Sequence, residues 1–189
     1  MLPRLLTLLA LLGLAGCGDS SKNPKVEMVT NKGNVTIELF EDKSPNTVKN
    51  FLDYVDAKHY DGTIFHRVMN GFMIQGGGFK PGMNGELPGN APIKNESING
   101  LKNERGTLAM ARTPNPHSAT AQFFINVNDN KALDRANSDD KFGYCVFGQV
   151  INGMDVVDKI RRVSTTTVKG HENVPVDDVI IESMRRISK

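Results

Sequence analysis

Residues 65–79 read Phe-His-Arg-Val-Met-Asn-Gly-Phe-Met-Ile-Gln-Gly-Gly-Gly-Phe, and this run predicts both a strand and a binding site. Arg67 is its one formally charged residue, and it stands in an apolar stretch of the kind that favours a β-strand. Phe72, Met73 and Gln75 follow within eight residues. A cation on a strand beside apolar side chains and an amide indicates a site for a neutral, partly apolar ligand. The glycines at 76–78 lack the Gly-Lys-Ser/Thr of a phosphate-binding loop and indicate turn geometry instead.

The rest of the chain predicts a mainly β structure with two helices. Residues 35–39 alternate apolar and polar side chains at the period of a half-buried strand. One helix is predicted from the N-cap Ser44 and Pro45 to near His59, and a second over 153–161. Many short strands with two helices indicate a closed barrel or a sandwich. The further strands are predicted at 63–69, 72–76, 106–111, 121–127, 143–150 and 179–187.

Two further motifs follow the first in the chain. One runs from Gly106-Thr-Leu-Ala-Met-Ala-Arg112 through Ala121-Gln-Phe-Phe-Ile-Asn126, and the other is Phe142-Gly-Tyr-Cys-Val-Phe-Gly-Gln-Val150. Together with residues 65–79 they resemble, in the same order, the cyclophilin-type peptidyl-prolyl cis-trans isomerases, and the resemblance covers residues 26–187. It implies a closed eight-stranded antiparallel β-barrel with an α-helix capping each end, and a ligand on the outer wall because side chains fill a barrel of that size.

The resemblance also implies an activity and the residues that carry it. The expected activity is cis-trans isomerisation of the peptide bond before proline, with no cofactor and no metal. Arg67 matches the family's catalytic arginine, and the irregular loop 80–104 is expected to frame one side of the substrate groove. The resemblance places the proline pocket at Phe72, Met73, Phe124 and Leu133, amide contacts at Gln75 and Gln122, and further substrate contacts at Ala111, Arg112 and Tyr144.

Several of these positions have a structural interpretation as well. Arg67 taken alone fits an arginine that pairs with a surface carboxylate. Phe72 and Met73 are adjacent, so both can reach one pocket only if a bend or bulge interrupts the strand. The backbone of Arg112 is expected to pair with an extended peptide, whereas its side chain is expected in solvent. His66 is expected to face away from Arg67 and to be structural.

Two departures from the family pattern concern the edge of the expected pocket. The chain has no tryptophan, and where cyclosporin-sensitive members carry one the alignment gives Ala132. Tyr144 stands where those members have a pocket histidine. Both changes bear on cyclosporin binding more than on catalysis.

The first residues predict a lipoprotein signal. Residues 1–16 combine Arg4 with an apolar run too short to span a bilayer, which needs about 20 residues. The segment ends in Leu14-Ala15-Gly16-Cys17, which resembles a bacterial lipobox with Cys17 as the lipidated thiol. An ordinary secretory signal with a chance cysteine is the alternative.

The signal also predicts the domain layout and the location. Residues 17–24 are the expected lipidated cysteine and polar tether, and residues 25–189 are the expected isomerase domain. The protein is expected outside the cytoplasm, lipid-anchored and facing the periplasm. The outer membrane is favoured over the inner because Gly18, the second residue of the processed chain, is not an aspartate.

Composition excludes other classes of partner. The formal net charge is +2, which argues against nucleic-acid binding, since that function needs a basic surface. Four histidines and a single thiol besides Cys17 make no metal-ligand pattern. That thiol, Cys145, lies among apolar and aromatic residues and is expected to be buried and inert. A single monomeric domain is expected.

Three classes of function remain to be compared. The leading hypothesis is an isomerase that acts on proline-containing unfolded or folding polypeptides outside the cytoplasm. The alternative is a cyclophilin-like chaperone or scaffold in which turnover is not the biological role. Retention of Arg67 favours the enzyme, because a binding module has no need of it. A hydrolase is poorly supported, since Ser97 and Ser118 have no base placed in a recognisable motif.

Overall fold

A computed structural model describes residues 23–188 of the chain. The expected signal segment 1–16, Cys17 and the tether as far as residue 22 lie outside the described residues. No helix in the described part is long and apolar enough to cross a membrane. The elements are β1 (Lys25–Thr30), β2 (Gly33–Leu39), α1 (Pro45–Asp56), β3 (Thr63–Met69), β4 (Met73–Gly76), β5 (Thr107–Met110), β6 (Phe123–Asn126), β7 (Val146–Asn152), α2 (Met154–Ile160), β8 (Thr165–Val168), β9 (His171–Pro175) and β10 (Ile180–Ser188).

Eight of the strands close into an antiparallel barrel. Their order is β1-β10-β3-β4-β6-β5-β7-β2, and β2 pairs with β1 to complete the circle. The predicted fold is therefore confirmed, and the barrel is chosen over the sandwich. Closure leaves none of these eight strands with an unpaired edge that could recruit another chain.

The pairing of β1 with β2 shows how alternation fills the barrel. Val26 lies opposite Ile37 and Met28 lies opposite Val35, and all four side chains are fully buried. Burial of apolar surface contributes about 25 cal/mol per Å². A slip of one residue would turn every one of these side chains outward, so the apolar pattern fixes the register.

The two helices cover opposite ends of the barrel. α1 follows the Leu39 end of β2 and buries Phe51 and its neighbours in the main core. At the other end of β2, Gly33 lies against Val156 of α2, so closely that a Cβ there would stand 2.8 Å from the valine side chain. Side chains of both helices join the inward-facing strand residues in one apolar cluster.

Ser44 holds the N-cap position of α1, as predicted, but its side chain does not cap the helix. Its hydroxyl donates instead to the carbonyl of Val146 at 3.0 Å. Glu96, from the long loop, accepts hydrogen bonds from the backbone N–H groups of Asn46 at 3.3 Å and Thr47 at 2.8 Å. A carboxylate at this end satisfies free N–H groups and complements the helix dipole. The loop is thereby tied to the helix.

β8 and β9 form a separate two-stranded hairpin that the sequence analysis did not predict. Lys169 and Gly170 make its turn with φ values of 50° and 82°, as a two-residue type I′ turn requires. Val174 is buried with Ile64 and Phe79 in a small apolar cluster beside β3. The hairpin is therefore packed against the barrel wall.

Candidate active site

A groove of about 780 Å³ runs over the outer wall of the barrel. It crosses β3, β4 and β6 and reaches the residues that follow β5. The structure brings all the predicted site residues together along it: Arg67, Phe72, Met73, Gln75, Ala111, Arg112, Gln122, Phe124, Leu133 and Tyr144. Their roles toward a substrate stay predictions.

A β-bulge in β3 turns two successive residues toward this groove. Phe65 pairs with Gly76 and Arg67 pairs with Gln75, so that His66 is the extra residue. An extra residue breaks the alternation of side chains between the two faces of a strand. His66 therefore lines the groove together with Arg67, and the prediction that it faces away is wrong.

Arg67 is half-buried in the groove, and its guanidinium has no partner among the described residues 23–188. Within residues 23–188 it makes no ion pair and no hydrogen bond. The surface carboxylate that a structural arginine would need is therefore not present in that range. A guanidinium holds five N–H donors in a rigid planar fork, so Arg67 can offer several of them to a ligand in the groove.

His66 is a neutral neighbour of Arg67. Its side chain is only 6% exposed, and its Nδ1 atom has no hydrogen-bond partner in the described part of the chain. Burial lowers the pKa of His66 to about 4, and the nearby charges of His171 and Arg67 act in the same direction. The imidazole packs on the ring of Phe79 with centroids 4.7 Å apart.

An apolar pocket lies beside Arg67. Phe72 belongs to the turn that precedes β4, where its N–H donates to the carbonyl of Met69 at 2.9 Å, and β4 begins at Met73. β4 therefore starts one residue later than predicted, and the turn before it lets both adjacent side chains reach the pocket. Met73 and Phe124 are almost fully buried in its floor. The partly buried side chains around them include Phe72, Leu133 and Tyr144.

Two amides and a carboxylate form a row across the groove. The Gln75 Nε2 atom donates to Gln122 Oε1 at 2.8 Å, and Gln122 Nε2 donates to Glu86 Oε1 at 2.6 Å. Gln75 is thus held by Gln122 and makes no hydrogen bond to Arg67. Gly78 permits this arrangement, because a Cβ there would stand 2.6 Å from the Gln122 amide.

The side chain of Arg112 is not in solvent, which corrects the prediction. It is 6% exposed, forms an ion pair with Asp140, and donates to the Gly143 carbonyl from Nε at 3.1 Å. Its guanidinium also lies over the Tyr144 ring, 4.5 Å from the centroid. Although burial alone opposes ionisation of Asp140, the N–H groups of Gly143 and Phe142 and the Arg112 guanidinium hold the pKa of that carboxyl well below its usual range. Arg112 therefore fixes the far wall of the groove.

Sequence reasoning missed several residues that line the groove. Glu86 lies in the long loop that was expected to frame it, but no pattern singled out this side chain. The segment 170–173 comes from the β8–β9 hairpin. The Lys169-Gly170 turn could have signalled the hairpin, but it lacks the Asn-Gly or Asp-Gly pair that makes such turns recognisable.

Cys145 and Ala132 both lie outside the groove lining. Cys145 is buried, as predicted, with its sulfur 3.7 Å from Ser44 Oγ and 3.6 Å from Thr47 Oγ1. Burial raises the pKa of this thiol, which keeps it in the unreactive form. Ala132 is exposed in the short 3₁₀ turn Lys131–Leu133, next to the Leu133 side chain that does line the groove.

Residues 23–188 thus combine a closed antiparallel barrel with an arginine whose side chain has no partner in that range, beside an apolar pocket on the outer wall. Residues 25–186 match the family described as cyclophilin type peptidyl-prolyl cis-trans isomerase/CLD. The chain belongs to this family, and its activity is peptidyl-prolyl cis-trans isomerisation on proline-containing peptides.

Known relatives agree with this assignment. The chain is 62% identical over 156 residues to peptidyl-prolyl cis-trans isomerase B of Escherichia coli, with 82% of this chain and 94% of the relative covered. It is 47% identical over 189 residues to peptidyl-prolyl cis-trans isomerase A of Dickeya dadantii, with 100% and 98% covered. The structure is similar to the crystal structure of a Cryptosporidium parvum cyclophilin type isomerase, with a TM-score of 0.75, 28% identity, and 88% and 99% covered. A crystal structure of the Cryptosporidium protein in the presence of the dipeptide Ala-Pro gives a TM-score of 0.74 at 29% identity, with 87% and 99% covered.

Proposed function

We propose that Arg67 accelerates rotation about the bond before proline by donating a hydrogen bond to the proline nitrogen. Amide resonance sets a barrier of about 18–20 kcal/mol to this rotation. In the planar ground state the nitrogen lone pair is shared with the carbonyl. In the twisted transition state the lone pair returns to nitrogen, which then accepts a hydrogen bond. A donor aimed there stabilises the transition state selectively, which is what catalysis requires.

The observation that carries this proposal is the free guanidinium of Arg67. The groove holds two arginine side chains in contrasting environments: that of Arg112 is engaged by Asp140 and Gly143, whereas that of Arg67 has no ion-pair or hydrogen-bond partner among residues 23–188. An arginine keeps its proton and can donate without transferring it. Arg67 is therefore suited to hydrogen bonding and not to acid–base chemistry, so the reaction proceeds without a covalent intermediate.

The neighbouring residues account for substrate binding. The proline ring enters the apolar pocket over Met73 and Phe124, where methionine adapts its shape to the ring. The row of amides contacts the substrate backbone, and the backbone at Arg112 pairs with the extended residues before proline. Main-chain pairing is indifferent to side-chain identity, so many sequences are accepted. The crystal structure of the Cryptosporidium protein in the presence of Ala-Pro concerns a dipeptide of this chemistry.

Arg67→Ala tests the mechanism in an isomerisation assay on a proline-containing peptide. Loss of one preorganised donor typically costs about 3–4 kcal/mol, so we expect the catalysed rate to fall by about 10²-fold or more. Arg67→Lys should not restore the rate, because an ammonium lacks the planar fork. Arg185→Ala is the matched control, since Arg185 pairs with Glu27 on the far barrel surface and should keep full activity. A folded Arg67→Ala protein with near-normal turnover would refute the mechanism.

We also propose that the domain works outside the cytoplasm, anchored by a lipid on Cys17 and favouring the outer membrane. The lipobox-like Leu14-Ala15-Gly16-Cys17 supports this, as does the short polar segment that follows it. Two acyl chains hold a protein stably where one is marginal. Clients are then exported proteins that fold near the membrane.

The anchor is tested by fractionating cells that express Cys17→Ala. We expect the variant to leave the membrane fraction with its isomerase activity intact. Cys145→Ala removes the other cysteine and should stay with the membranes. Sedimentation of the Cys17→Ala protein with membranes would contradict the anchor, and a soluble wild-type protein would favour the ordinary secretory signal.

A further inference from the structure

The tip of the β8–β9 hairpin forms one end of the groove. Val168 pairs with His171 and Thr166 pairs with Val174, so two residues of β9, Glu172 and Asn173, oppose one residue of β8. This is a β-bulge, and Asn173 adopts a φ of 60° within it. Bulges re-aim side chains. Both bulge residues line the groove.

The tip of the hairpin is held in place by contacts with the loop after β4. The Lys169 ammonium donates to the Met83 carbonyl at 3.2 Å and to Asn84 Oδ1 at 2.8 Å. The His171 ring packs edge-on against Phe79, with centroids 5.3 Å apart. These contacts fix the tip, so the side chains that follow the turn are presented to the groove from a defined position.

Glu172 brings a negative charge to this end of the groove. It is exposed, and its side chain makes no hydrogen bond or ion pair with the described residues 23–188. Glu86, the other carboxylate of the groove lining, accepts from Gln122 and also has no cationic partner within that range. Lys169 is close in sequence, but it is engaged elsewhere and does not line the groove.

The strand order indicates which part of a bound peptide lies at the hairpin end of the groove. The groove crosses β3, β4 and β6 in spatial order and reaches the residues after β5, and the hairpin packs beside β3. Arg112 follows β5, at the opposite end. In the proposed function, on which this orientation rests, the substrate residues before proline pair with the backbone at Arg112. The substrate residues after proline then extend past Arg67 to the hairpin.

We propose that Glu172 is a specificity-determining residue that favours substrates with lysine or arginine in the two positions after proline. The charge acts on the substrate and not on the rotating bond. An exposed charge pair changes an equilibrium by about 1.4- to 5-fold, and reversing one partner applies that factor twice. Salt weakens such a pair, because the Debye length falls to about 3 Å at 1 M.

The test measures kcat/KM by exchange NMR for four blocked peptides. Two carry Lys-Lys or Glu-Glu directly after a Phe-Pro pair, and two carry the same charges directly before it. We expect the wild-type protein to prefer Lys-Lys over Glu-Glu after proline, and Glu172→Lys to lower that ratio by about fourfold or more, because the values for both peptides change in opposite directions. Glu172→Gln should give an intermediate ratio, and 1 M salt should shrink the preference.

Glu182→Lys is the matched control, because Glu182 is an exposed glutamate of β10 that does not line the groove. It should keep the wild-type ratio. Equal ratios in Glu172→Lys and Glu182→Lys overturn the proposal, and so does a change confined to the peptides with charges before proline. The ratio is measured on enzyme that retains Arg67, so failure of the Arg67 mechanism would be seen separately, in the Arg67→Ala rate.

Discussion

Replacing His66 with glutamine should remove a loss of stability that the wild-type protein suffers on acidification. His66 is 6% exposed and its Nδ1 atom has no partner in the described residues. Its pKa is about 4 in the folded protein because burial disfavours the imidazolium. An unfolded chain leaves the same group at about 6.5. Below that value the unfolded state binds a proton that the native state refuses.

The magnitude follows from proton linkage. Stability conferred by the neutral buried ring is fully present above the unfolded pKa and is lost as the pH falls from about 6.5 toward 4. For one group with this shift, the free energy of unfolding falls by about 2 kcal/mol between pH 7.5 and pH 5, and by about 3 kcal/mol in all. That loss is a large part of the free energy of unfolding of a typical domain, which is about 5–15 kcal/mol.

Urea unfolding of the soluble domain at several pH values between 7.5 and 4 measures the effect. The difference between wild type and His66→Gln should shrink or reverse as the pH falls, because glutamine does not titrate. His117→Gln, at an exposed histidine, is the control and should follow the wild-type curve. Parallel curves for wild type and His66→Gln would show that His66 is protonated in the native state without cost, which would sink the reasoning.

Two further outcomes concern the rim of the groove. Asp140→Asn should lower the free energy of unfolding, measured with urea, by about 1–2 kcal/mol. Breaking a fully buried ion pair costs about 3–5 kcal/mol, and the smaller value is expected here because Asp140 is 35% exposed. An unchanged midpoint would mean that Gly143 alone satisfies Arg112. Cyclosporin A should inhibit poorly, with an affinity roughly 30- to 1,000-fold weaker than for an enzyme with tryptophan at position 132. The reason is that the methyl group of Ala132 supplies neither an indole N–H nor an aromatic face. Titration of wild type and Ala132→Trp should then differ, and tight inhibition of the wild type would contradict this.

Individual strands could be predicted because their pattern is local, whereas the closed barrel was implied by the resemblance of the three motifs. Alternation of apolar and polar residues predicted the strand at 35–39, which lies within β2, and the predicted strand 63–69 coincides with β3. The hairpin escaped prediction because β8 is exposed along most of its length and carries no alternating pattern. Its burial comes from β9, where Val174 meets residues far away in the chain. Such contacts cannot be read from one segment.

The sequence predicted which residues form the candidate site but not the contacts and burial of each side chain. Motif order identified ten groove residues, whereas the surroundings of Arg112 and His66 were misjudged. Arg112 looked like a surface cation because its partner, Asp140, is 28 residues away. His66 looked outward-facing because alternation was assumed to continue through β3, and the pairing of β3 with β4 breaks it.

Burial separates the groove residues that must be kept from those that can vary. Met73 and Phe124 face the groove but also belong to a buried cluster, so truncating either would leave a cavity at a cost of about 2–5 kcal/mol. Glu172 lies on a bulge and contributes nothing to the buried clusters, so its identity can change without loss of packing. Residues of this second kind are free to adjust which peptides bind. We therefore expect the pocket and Arg67 to set the rate, and the hairpin bulge to set the preference among substrates.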